Sequence, residues 1–90
     1  MSRPHLIELI TTTEIEPVLV VLALPEHIAL VNQHNHAVKH YLATGDAEPL
    51  HRLAGASITI SGQRHELLTD TTELERRWNL GVLSLEAGEE

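Results

Sequence analysis

The sequence predicts a small α+β domain, with one long amphipathic helix and two short helices packed on a small, mostly antiparallel sheet. Three observations lead there. Residues 18–24 are an uncharged apolar run of strand length, Pro25 opens an amphipathic segment of helical period, and residues 57–61 alternate cleanly before a Gly62-Gln63 turn signal.

In chain order, residues 5–12 are the ambiguous stretch, because Leu6, Ile7, Leu9 and Ile10 suit a short helix as well as a half-buried strand. The β-branched run Thr11-Thr12-Thr13 ends any helix there. Residues 18–24 hold three valines and lie between Pro17 and Pro25, which favours a strand buried on both faces. A rival helix would start on the capping-box spacing of Thr13 and Glu16 and kink at Pro25.

From Pro25 a helix of about five turns is expected over 25–43, with proline at its first position, Glu26 beside its positive end and Gly45 as its stop. Ile28, Leu30, Val31, Ala37, Val38, Tyr41 and Leu42 form its apolar side. Asn32, Gln33, His36, Lys39 and His40 form the opposite one. Asp46 then caps a short helix carrying Leu50 and Leu53, which Gly55 ends. Residues 57–61 and 64–69 read as a hairpin. Asp70 and Glu73 have N-cap and N3 spacing for a helix with a Leu74/Trp78 apolar pair, and Gly81 ends it. Residues 82–86 read as a last strand and 87–90 as a loose tail.

Ninety residues without repeat or linker make one small domain, which buries only roughly 60% of its unfolded surface. The chain has no cysteine, and no apolar run approaches the 18 or more residues of a membrane helix, so a cytoplasmic protein without membrane contact is expected. One Trp, one Tyr and no Phe leave an aliphatic core and little aromatic surface for stacking on bases. Thirteen acidic residues against six Lys and Arg give a net charge of −7, which opposes direct nucleic-acid binding; only Arg76 and Arg77 are adjacent.

Seven histidines raise the question of a metal, and His36 and His40 are one helical turn apart. The wheel sets His27 and His34 near the apolar side and points His36 and His40 away from it, so one helix cannot gather all four. No metal site or cofactor is expected. His34-Asn35-His36 spells the name of a nuclease motif, but it lies within a helix of an acidic chain and lacks the ββα-metal context. The glycines frame neither a nucleophile elbow nor a phosphate loop, and no catalytic residues are assigned.

His34 and Asn35 stand out, being polar yet set within the apolar side of the long helix. Such residues either bond inside the monomer or fix register at a helical interface. The expected function is a non-enzymatic protein-interaction or regulatory protein, self-associating as a homodimer through the long helix or an exposed strand edge. The interface candidates are His27, Val31, His34, Asn35, Val38, Tyr41 and Leu42. The alternatives are an acidic inhibitor or mimic, antitoxin-like or phage-encoded, that occupies a basic partner, and a small enzyme or metal binder. Residues 57–86 resemble swapped-hairpin transcription factors in strand, turn and helix order, but lack their basic surface, so that function does not carry over.

Overall fold

The computed structural model describes residues 5–83. It is an α+β domain with β1 (His5–Leu9), β2 (Val18–Leu22), α1 (Pro25–Thr44), α2 (Glu48–His51), β3 (Ser57–Ile60), β4 (Gln63–Glu66) and α3 (Thr71–Leu80). The expected single sheet is two antiparallel hairpins, β1-β2 and β3-β4. An isolated antiparallel bridge, Thr11 with Leu67, joins them. There the Thr12 N–H donates to the Glu66 carbonyl and the Leu68 N–H to the Ile10 carbonyl, both at 3.0 Å.

The ambiguous segment 5–12 is therefore extended, and its continuation past β1 is where a two-sided strand is found. Leu9 and Leu67 enter one apolar cluster with Ile7, Leu22, Val31 and Ile58. Their neighbours Ile10 and Leu68 enter a second cluster with Ala37, Val38, Leu50 and Leu74. Successive strand side chains point to opposite faces, so a segment feeding two clusters must be covered on both.

Residues 18–24 do not behave that way, and the expectation of a strand buried on both faces is corrected. β2 is a strand over 18–22, but its exposure alternates, with Leu22 buried and Leu19 and Val21 at 59% and 61% exposure. Helices cover one face of this hairpin only, so a run apolar throughout still turns half its side chains to solvent. The rival capping-box helix does not form either; residues 12–17 are bends and irregular chain leading into β2.

α1 begins at Pro25 as expected and runs to Thr44, where Gly45 at φ 83° bonds back to the Tyr41 carbonyl at 2.7 Å. The N-cap of α2 is Ala47 and not the expected Asp46, which stands one residue earlier and accepts from the Glu48 N–H at 3.1 Å; the helix is only four residues long and leaves Leu53 beyond it. The β3-β4 turn is Ser61-Gly62 rather than Gly62-Gln63. Ile60 pairs directly with Gln63, and the two residues between them both take positive φ, as a two-residue turn of the I′ kind needs.

Asp70 caps α3 by accepting from the Thr72 N–H at 3.0 Å. The helix ends at Gly81 in a Schellman pair of bonds, Gly81 N–H to the Trp78 carbonyl and Val82 N–H to the Arg77 carbonyl. The apolar face of α3 is not the expected one. Leu74 is fully buried, but Trp78 is 48% exposed, and the residue turned inward beside Leu74 is Arg77 at 3%. Val82 and Leu83 lie outside any strand, and the rest of the expected strand 82–86, like the tail 87–90, falls outside the described residues.

Arg77 is held because its Nε and Nη1 donors all meet acceptors. Nη1 donates to the Thr11 and Glu14 carbonyls, each at 2.8 Å, and Nε to Glu73 at 2.8 Å. Arg76 and Arg77 thus converge on one carboxylate, and the Arg76 contact first, then Arg77, holds Glu73 down to about 2. Arg77→Met is expected to cost about 2–4 kcal/mol, because it strips the donor from buried carbonyls and frees the 11–14 loop. Arg77→Lys should recover part of that loss, since one ammonium cannot span the same acceptors. Urea melts of the three proteins check both values; equal midpoints for wild type and Arg77→Met would refute the clamp.

Candidate functional site

His34 and Asn35 form the polar step in the buried side of α1, and the fold uses both on backbone. His34 is fully buried, and its Nε2 lies 2.6 Å from the Leu68 carbonyl. A carbonyl only accepts, so Nε2 carries the proton. The Asn35 amide donates to the Glu8 carbonyl at 3.0 Å. One turn of helix is thereby fastened to both strands at the hairpin junction. The His34 Nδ1 and Asn35 Oδ1 atoms are buried without a partner among the described residues.

Of the seven residues marked by sequence as interface candidates, Val31, His34 and Val38 have no exposed surface. The stripe they form is consumed inside the chain and is not available to a partner in this fold. His27, Asn35, Tyr41 and Leu42 are half-buried. Tyr41 donates its hydroxyl to Glu75, tying α1 to α3, and that bond raises the phenol's pKa above its ordinary value. Tyr41 and Leu42, with Gly45, Glu75, Trp78 and Asn79, line a shallow groove of about 260 Å³.

The histidines of the solvent side are also separated in role. His40 Nε2 lies 3.1 Å from the Asp46 carboxylate, beside Thr44, so it belongs to the turn between α1 and α2, while His36 is exposed. Among the described residues no group of three or more His, Cys, Asp or Glu side chains could hold a metal ion. No helix among them is long and apolar enough to cross a membrane.

The β1-β2 hairpin carries apolar side chains open to solvent, as do the connections at Ile15 and Leu24 and the end of α3 at Trp78 and Leu80. Leu6, Leu19 and Val21 are 63%, 59% and 61% exposed, and Leu6 lies directly across from Val21. On the β3-β4 hairpin the exposed strand positions Thr59, Arg64 and Glu66 are polar or charged. The backbone of β2 has a definite polarity as well. The Ile10 carbonyl and the Thr12 N–H face Leu68 and Glu66, and the Glu8 carbonyl faces Asn35. Even-numbered residues of this strand therefore turn their backbone away from β2, and odd-numbered ones toward it. In the observed register Ile7 pairs with Val20 and Leu9 with Val18, so Val18, Val20 and Leu22 face β1. Leu19 and Val21 then direct both N–H and C=O outward, and among the described residues no strand pairs with that edge.

Sequence reasoning named a strand edge as one possible contact surface but put no residue on it, since the apolar run looked like core. The signal that distinguishes it is the alternation of a partly covered strand, which an all-apolar run hides. No family model, curated protein or solved structure matches the chain.

Burial holds the His34 imidazole below its ordinary pKa of 6.5, against a smaller opposite pull from the Leu68 carbonyl. The unfolded chain then takes up the proton first, so the stability is complete above about pH 6.5 and declines as pH falls below it. His34→Leu is expected to flatten that decline, and His36→Leu to leave it unchanged. Thermal melts at about pH 8 and pH 5.5 compare the slopes. Equal slopes for the two variants would remove His34 as the titrating group.

Proposed function

We propose that this chain is a non-enzymatic protein-interaction or regulatory protein that associates with a second copy of itself through the β1-β2 hairpin. The observation that carries the reading is the exposed apolar patch of Leu6 on β1 with Leu19 and Val21 on the uncharged edge strand β2. Proteins that stay monomeric blunt such edges with lysines, bulges or covering loops, and residues 17–25 contain no charge at all. Water contact with apolar side chains costs about 25 cal/mol per Å² of surface, which a partner recovers. The chain's small size adds weight, because a second copy extends a core that 90 residues can only partly build.

Of the two contact surfaces expected from sequence, the strand edge is supported and the long helix is not, since the apolar stripe of α1 is spent on Leu68, Glu8 and the two clusters. Charge separates this reading from that of an acidic mimic. Two copies of a chain of net charge −7 repel one another, so salt should strengthen their association by screening. An acidic surface gripping a basic partner would instead weaken with salt.

Sedimentation velocity at rising protein concentration, in about 50 mM and about 500 mM sodium chloride, tests both signs. A dimer that tightens with salt and is lost in Leu19→Lys is expected. Leu19→Lys should melt within roughly 0.5 kcal/mol of wild type, because it lies at the surface. A wild type that stays monomeric throughout would overturn the proposal.

A further inference from the structure

Resting on self-association through this hairpin, we infer that β2 pairs edge to edge with β2 of a second copy, antiparallel about a two-fold axis at Val20, to build a four-stranded sheet ordered β1-β2-β2-β1.

The backbone polarity of β2 leads to this arrangement. Leu19 and Val21 turn their N–H and C=O groups to the outer edge, where no other described residue bonds them, while Val20 faces β1. In an antiparallel ladder, residues that point at the partner exchange bonds with residues that point back. With the axis at Val20, Leu19 meets the partner copy's residue 21 and Val21 meets its residue 19. That register matches all the outward groups of the strand to one another. Leu19 and Val21 also lie side by side on the exposed face, so the pairing continues the apolar row begun by Leu6 across both copies.

Charge and proline content favour the same occupant. The run between Glu16 and Glu26 is neutral in a chain of net charge −7, so this edge offers no anionic group to a basic partner and adds no charge of its own to the repulsion between copies. Pro17 stands just before β2 and Pro25 opens α1, so both prolines lie outside the proposed strand-to-strand ladder. Face-to-face packing of two hairpins is the less favourable geometry. Glu8 sits across from Leu19, and its carboxylate would be buried there without a cation to meet it.

The test uses the parity of the strand. Val21→Pro removes an outward N–H and puts a ring at the edge, whereas Val20→Pro removes a bond to β1. We expect Val21→Pro to stay folded and weaken the dimer at least about tenfold, and Val20→Pro to destabilise the domain itself. In wild type, the Leu19 and Val21 amides should gain protection from hydrogen exchange as the concentration passes through the dimer transition. Single cysteines, introduced in a chain that has none, should cross-link between copies fastest at Val20, where the two strands approach most closely at the axis.

A dimer kept by Val21→Pro but broken by Leu6→Lys would overturn edge pairing and leave self-association standing. Protection of the Leu19 and Val21 amides at concentrations where the protein is monomeric would assign the edge to another segment of the same chain, and would overturn the inference. A wild type monomeric at every concentration would remove the inference and the reading beneath it together. Cross-linking that peaks away from Val20 would refute the two-fold register.

Discussion

The rest of this structure depends on the junction at Thr11 and Leu67, where two hairpins that pair only within themselves are made into one body. Two backbone bonds cannot hold such a joint alone, since each contributes only about 1 kcal/mol net. Three side chains from two helices complete it. His34 and Asn35 of α1 bond the Leu68 and Glu8 carbonyls, and Arg77 of α3 bonds those of Thr11 and Glu14. Buried and part-buried carbonyls around the junction are satisfied here by helix side chains, and this fixes where both helices sit.

That arrangement has a consequence for the surface. With α1 committed to the junction and both clusters on its inner side, no described helix covers the outer face of β1-β2. Leu6, Leu19 and Val21 are exposed because the helices are used elsewhere, while the β3-β4 hairpin carries Thr59, Arg64 and Glu66 at its outward positions and needs no cover. The apolar patch and the polar clamps are two results of one placement of α1.

The electrostatics follow the same division. Arg77 is withdrawn from the surface and Arg76 shares its carboxylate, so the one adjacent basic pair of the chain serves the fold. The acidic excess stays outside, where it is solvated. Residues 17–25 form a stretch without charge within that acidic chain.

Local chemistry was legible from sequence wherever one residue acts on its own neighbours. Pro25, Gly45, Asp70 and Gly81 start and stop α1 and α3 where their backbone preferences require, and the alternation of 57–61 announces a hairpin whose turn falls at Ser61-Gly62, one residue before the expected Gly62-Gln63. The α+β class followed from those periods. The polar pair His34-Asn35 was also visible, as a step in an apolar stripe, but its partners lie 34 and 27 residues away and no spacing encodes them. Arg77 was missed because an arginine beside another arginine in an acidic chain reads as surface; only the carbonyls of 11–14, brought up by tertiary packing, make its burial favourable. The exposure of β2 was misread for the converse reason. An apolar run specifies a strand, but whether one face or two is covered depends on where the helices go, and that was decided by the bonds they make at the junction.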